Sequence, residues 1–312
     1  RFGYTGGNLS HKTQHQGLSR YYNNFTILDI EIFEVNCIRW LNEGKDLLIL
    51  EGDGLNLILF SMDTVKEFKN IIQEHSLIYT VSPSPGGRYF ASASGSYRVV
   101  VWDAKTGDVV TILDNHEEPD IRYVSWSPDG TRIASSSQWG EVVIQSADGS
   151  RVISRMRVNH HVNNLSWSPA GDWLAISCQD AGVRFLDIET KTVSVFKTLD
   201  IPWASTAWSP DGNQVALYFR DILRVVNVAD GTLVKEWKVR VGASFTCCAW
   251  YDDVHLLVAY LNNTLEVFNM RDFSPVLACE SPIGTVISMD PGQRGVAIAS
   301  SFQAAIWHLK IK

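Results

Sequence analysis

The stretch Ser125-Trp126-Ser127-Pro128-Asp129-Gly130 returns as Ser166-Trp167-Ser168-Pro169-Ala170-Gly171 and again as Ala207-Trp208-Ser209-Pro210-Asp211-Gly212. Weaker copies extend the series in both directions. Anchored on the tryptophan, it runs Trp40, Val81, Trp126, Trp167, Trp208, Trp250 and Met289, with steps of 41, 45, 41, 41, 42 and 39 residues. A period of about 40 to 45 residues is that of a four-stranded propeller blade, whereas leucine-rich, ankyrin and tetratricopeptide repeats are shorter.

The chemistry inside one copy is that of hairpins. An apolar strand ends at the tryptophan, and Ser-Pro-Asp-Gly makes the turn. There proline presets φ, aspartate bonds to nearby backbone and glycine takes the conformation that other residues resist. A small-residue strand such as Ile133-Ala134-Ser135-Ser136-Ser137 follows, then a β-branched one such as Arg98-Val99-Val100-Val101-Trp102, then a second polar turn, Asp103 to Gly107. From Ile49 to Phe60, Ala91 to Trp102, Ala134 to Gln145, Ala175 to Leu186, Ala216 to Asn227, Val258 to Asn269 and Ala297 to His308 the spacing is 11 residues each time. These features predict an all-β chain, a seven-bladed β-propeller of four-stranded antiparallel blades. The last copy ends one strand short after Ala304 to Leu309, while Phe25 to Ile32 is an unassigned strand ahead of the first. Because an open sheet edge invites aggregation, the N-terminal strand is expected to complete the last blade. Residues 1–20, polar and glycine-rich, read as a flexible lead-in to a single propeller over 21–312. Helical spacing of Val65, Phe68, Ile71 and Ile72 competes with a strand there, and the blade period favours the strand.

At Val101-Trp102-Asp103 and in the turn aspartates Asp180 and Asp221 the chain, over about residues 36–312, resembles the WD40-repeat family with degenerate repeats. In that family a turn aspartate joins a buried histidine, a Ser or Thr and the Trp in a hydrogen-bonded set. The resemblance therefore implies structural roles for Trp102, Asp103, His116, Asp180 and Asp221. Other blades carry Gly54, Ser96, Trp139, Asn263 and Phe302 at the turn-aspartate position, so packing between blades must supply much of the stability.

Composition bounds the function. The 312 residues are 45% hydrophobic and 20% charged with a net charge of -7, a globular chain without the global basic field that tracks phosphates. No nucleic-acid partner is expected. No apolar run reaches the ~18 residues that span a bilayer. The five cysteines, Cys37, Cys178, Cys247, Cys248 and Cys279, lack CxxC or zinc spacing and read as reduced thiols in an intracellular protein, cytoplasmic or nuclear. No metal or other cofactor is expected. The adjacent pair His160-His161 would point to opposite faces of a strand. No G-x-S-x-G, H-E-x-x-H, P-loop or dinucleotide-binding glycine run occurs, and the chain is read as not an enzyme.

The resemblance implies peptide or protein binding at the turns between second and third strands, which places Tyr97, Trp139, Arg220, Asn262, Asn263 and Phe302 around one rim. Aromatic and arginine side chains dominate interface hot spots. The competing account is that each ring folds over its own blade. The expected function is a non-catalytic scaffold or recognition module; a propeller lectin and a channel-site hydrolase are the alternatives. Unequal residues at the turn position count against a lectin, whose pockets repeat.

Overall fold

The computed structural model describes residues 20–22, 24–28, 35–41, 46–51, 57–61, 65–67, 78–158, 160–179, 182–195, 201–202, 204–239 and 244–309. Within them every regular element is a strand, and the strands form seven antiparallel sheets in a seven-bladed β-propeller. The third blade shows the pattern: Ile121–Trp126 innermost, then Arg132–Ser137, Glu141–Ser146 and, outermost, Val152–Arg157. The second and third strands are buried on both faces, which is why their sequences are nearly continuous in Val, Ile, Ala and Ser rather than alternating.

The seventh blade has three strands from the C-terminal part of the chain, Ser288–Gly292, Gly295–Ala299 and Ala304–Trp307. Phe25–Ile27 pairs antiparallel with the last of these, Phe25 opposite Trp307, and Arg20–Tyr22 pairs outside Phe25–Ile27. The remainder of the expected lead-in, residues 1–19, lies outside the described residues. Val65–Glu67 is a strand paired with Leu57–Ser61; the remainder of the segment with helical spacing, residues 68–74, lies outside them too.

The repeated turn is held by its serine. Ser127 Oγ accepts from the Arg132 amide at 2.9 Å, and Ser84, Ser168 and Ser209 do the same for Tyr89, Trp173 and Gln214. Gly130 stands at φ 73°, where a Cβ would strain the backbone. Neighbouring blades are stitched along their inner strands by tryptophans that end the first strands of blades 4, 5 and 6. Trp167, Trp208 and Trp250 each donate their indole N–H to the blade before, to the carbonyls of Ser125, Ser166 and Ala207.

Strand pairing corrects two parts of the repeat alignment. The residue at the Trp126 position, opposite the first apolar residue of the second strand, is Pro83 in blade 2 and Pro291 in blade 7, not Val81 and Met289. In the third strand, the position of Trp102 is taken by Trp307 in blade 7 rather than by His308, so two blades retain tryptophan there. The uniform spacing of 11 also gives way. At the Trp102 position the third-strand residue and its partner on the second strand lie from 11 apart, Val215 and Val226, to 13 apart, Leu47 and Phe60, because the intervening turns differ in length.

Candidate functional site

In blades 3, 5, 6 and 7 the turn between second and third strands is hydrogen-bonded to the segments that link one blade with the next. The Gln138 amide donates to Asp120 O, Val35 N to Ser301 O, Phe245 N to Arg220 O and Leu261 N to Ser244 O. These bonds put the turns and the linking segments on one face of the ring.

Trp139 stands at the tip of such a turn. Gly140, at φ 99°, lets the chain double back so closely that its carbonyl accepts from Val158 N at 2.9 Å. The ring is 52% exposed and lies 5.1 Å from the ring of His161 at a tilt of 48°. His161 is itself fixed by a 2.8 Å hydrogen bond between its Nδ1 and Gln138 O. Trp139 thus leans on the approach to blade 4 and offers its remaining surface to solvent. Phe302 is 64% and Tyr97 50% exposed, each at its own turn. Ser300 Oγ accepts from the amides of Phe302 and Gln303, and Ser96 Oγ pairs with Ser94 Oγ at 2.7 Å.

The other rim residues are engaged within the chain. Arg220, at φ 52°, holds its guanidinium 5.0 Å over the Phe219 ring. Asn263, at φ 67°, accepts from Thr285 Oγ1 at 2.7 Å through its side chain, and Asn262 Oδ1 accepts from the Thr264 amide. The structure therefore separates an aromatic arc, with Phe302 on blade 7, Tyr97 on blade 2 and Trp139 on blade 3, from a polar arc on blades 5 and 6.

The residues expected to pin the blades divide differently. Trp102 is buried, stacks on Phe90 and donates its indole N–H to Ser92 Oγ at 2.7 Å. Asp103 caps the following turn by accepting from the amides of Lys105 and Thr106; the Thr106 amide above all holds its carboxyl below the usual range. Asp221 is exposed, and Asp180 lies outside the described residues.

His116 serves blade 3. Its Nε2 pairs with Ser135 Oγ at 2.7 Å and its Nδ1 with Glu141 Oε2 at 3.0 Å, while Glu141 also accepts from the amides of Glu117 and Glu118. Sequence reasoning missed Glu141, which supplies from the third strand the carboxylate that Trp139 displaces from the turn. The signal was a glutamate opening an otherwise apolar strand, Glu141-Val142-Val143-Ile144. The three residue types are those of a hydrolase triad, but His116, Ser135 and Glu141 are only 6%, 0% and 4% exposed. Their geometry suits a brace.

The inner strands enclose a central channel of about 580 Å³. Its polar side chains stitch blade 7 to blade 1. Ser288 Oγ accepts from Ile38 N, and Asp290 Oδ2 accepts from Trp40 N at 2.6 Å. Burial pushes the Asp290 carboxyl up, against the pull of Arg39. Among the described residues no group of three His, Cys, Asp or Glu is placed to hold a metal ion, and no helix is long and apolar enough to cross a membrane. Cys37, Cys178, Cys247 and Cys248 are buried and Cys279 half-buried, all as free thiols.

Comparison with known proteins adds a likeness to known repeats. Residues 124–204 match the family described as "Anaphase-promoting complex subunit 4 WD40 domain", and residues 66–103 match "WD domain, G-beta repeat". Both matched families are of WD40 repeats, which the chain resembles over those residues. The chain is 39% identical over 100 residues to "WD repeat-containing protein 1" of Mus musculus, a match covering 31% of this chain and 16% of that one. It is 25% identical over 170 residues to "THO complex subunit 3" of Arabidopsis thaliana, 51% of this chain and 53% of the relative. With "Actin-interacting protein 1" of Drosophila melanogaster it shares 30% identity over 103 residues, 32% and 16% of the two chains. The matches thus span less than two thirds of these relatives' own length.

Proposed function

We propose that residues 21–312 act as one non-catalytic recognition module, holding a protein or peptide partner on the face that carries the turns between second and third strands. The observation that carries this reading is the aromatic arc of Tyr97, Trp139 and Phe302, three rings at least half exposed on the tips of ordered turns. Large apolar side chains in that state desolvate readily against a partner and lose little conformational entropy on binding. Support comes from two relatives whose names describe association with other proteins, one as a subunit of the THO complex and one as interacting with actin. The free thiols suit an intracellular setting, cytoplasmic or nuclear. Arg220, Asn262 and Asn263 contribute a polar margin, since Asn263 is already occupied by Thr285.

The test is affinity capture from a lysate of the source organism with wild type and a Trp139→Ala, Phe302→Ala double variant whose melting curve matches wild type. Partners retained by wild type and lost from the variant support the reading. Identical partners on both move the binding surface elsewhere on the propeller. No captured protein, together with a thermal shift on adding simple sugars, favours the lectin alternative.

A further inference from the structure

The outer strand of each blade has an edge open to solvent, and sheets protect such edges with charge, proline or brevity. In this propeller the protection is uneven. Val152–Arg157 carries Arg155 and Arg157; Leu233–Lys238 carries Lys235, Glu236 and Lys238; Ser274–Glu280 carries Pro275 and Glu280. Val65–Glu67 is short and two-thirds charged, Val193–Ser194 has two residues, and Phe25–Ile27 is covered by Arg20–Tyr22. Val109–Leu113, the outer strand of blade 2, reads Val-Val-Thr-Ile-Leu with none of these devices; its bulge at Val110 is shared by the outer strands of blades 3, 5 and 6, which carry charge or proline besides. Val109, Val110 and Ile112 are 39%, 50% and 37% exposed. The opposite side of the strand is backed by blade 3, since a Cβ on Gly149 would lie 3.0 Å from Leu113 Cδ2 and 3.3 Å from Thr111 Oγ1.

We infer that the edge of Val109–Leu113 receives an extended segment of a partner protein as an added antiparallel strand, β-branched in its middle and basic at its two ends. The class of occupant follows from three observations. The edge has high β propensity and no charge of its own, which suits main-chain pairing with alternate side-chain contacts. Blade 7 already takes an additional strand outside its fourth, Arg20–Tyr22 on Phe25–Ile27. Exposed carboxylates, Asp108 and Asp114, bracket the strand and call for cations on the incoming segment. The same bracket disfavours a second copy of this chain: two such strands paired antiparallel about Thr111 would set Asp108 of each against Asp114 of the other. This surface lies on the outer wall of the ring and is independent of the aromatic arc.

A blocked heptapeptide, acetyl-Lys-Val-Thr-Val-Thr-Val-Lys-amide, matches the seven residues from Asp108 to Asp114 and serves as the probe. On the full chain it is expected to slow hydrogen exchange at the amides of 109–113 at least tenfold, with no comparable slowing on other outer strands. A Val110→Lys, Ile112→Lys variant with unchanged melting curve is expected to bind it at least tenfold more weakly. The Trp139→Ala, Phe302→Ala variant is expected to bind it as wild type does, which separates this inference from the proposed function. Should the lysine variant fail to fold, Asp108→Lys, Asp114→Lys decides, since it must prefer the same peptide with glutamate ends. Absent or indiscriminate protection, or an unchanged charge preference, overturns the proposal. So does a dimer in sedimentation that the lysine variant abolishes, because a second copy would then be the occupant.

Discussion

His116 Nδ1 and Glu141 Oε2 sit 3.0 Å apart, joining the segment that leads into blade 3 to that blade's third strand. Glu141 also gathers the amides of Glu117 and Glu118, so one buried carboxylate anchors the approach to the turn that presents Trp139. Glu141→Ala leaves two amides and an imidazole without their partner, and a loss of about 3 kcal/mol is expected in urea unfolding. Glu141→Gln is expected to recover part of it, because a carbonyl oxygen still accepts from the amides.

The same pair sets a pH dependence. Burial lowers the His116 pKa below its ordinary value, and the opposing pull of Glu141 does not cancel it. The folded state therefore binds a proton less readily than the unfolded chain. This contribution to stability is complete above the unfolded pKa of about 6.5 and is lost as pH falls through the folded one. Melting curves between pH 7.5 and 5 are expected to show wild type losing stability faster than His116→Gln, with the gap between them narrowing on acidification. Parallel curves would show that His116 does not set this dependence.

Gly140 has no room for a side chain. A Cβ there would lie 1.9 Å from Val158 O and 2.8 Å from His160 O, on a residue at φ 99°. Gly140→Ala must move the backbone that carries Trp139, and a cost above about 3 kcal/mol is expected. Gly86→Ala has open space around its Cβ but a φ of 76°, so its expected cost is about 1 kcal/mol. Denaturant midpoints of the two variants give the comparison.

Phe25 lies nearly parallel to Trp307, ring centroids 5.7 Å apart, and both are buried. Phe25→Ala is expected to cost about 3 to 5 kcal/mol. The unfolding cooperativity should also fall if the seventh blade loosens ahead of the others, which would appear as tryptophan fluorescence and circular dichroism transitions that no longer coincide.

The cysteines differ in reach. Burial pushes the Cys247 thiol up to about 12 and raises those of Cys37, Cys178, Cys248 and Cys279, but Cys279 is half-buried where the other four are buried. Since the thiolate is the reactive form, iodoacetamide at pH 8 is expected to label Cys279 first in the native protein. All five should react promptly in guanidinium. Rapid native labelling of Cys247 would contradict the packing described for the inner strands.

How much of this was legible in the sequence depends on the range of the interaction involved. Ser127, Pro128, Asp129 and Gly130 determine their turn among themselves: the Asp129 carboxylate, though desolvation opposes it, is drawn down to about 2 by bonds from Ser127 and Thr131. Such local chemistry, copied along the chain, carries the blade count and the strand order. The exposed positions of Tyr97, Trp139 and Phe302 follow from the same source, since a turn tip between two buried strands has few neighbours of its own.

Register and partnership had a different origin. That Pro83, Pro291 and Trp307 occupy the repeat positions was decided by strand pairing across turns of unequal length, which a fixed spacing does not reveal. Trp40 and Trp126, each following a blade with proline at that place, have indole N–H groups without an acceptor, while the next three tryptophans of the series find one. The sequence suggested a structural role for His116, but the carboxylate it meets, Glu141, comes from a strand 25 residues on. By itself the sequence determined seven hairpin-built blades, because turns and alternation act over a few residues. The tertiary structure alone decided which buried polar groups meet, because those contacts form only when whole blades pack side by side.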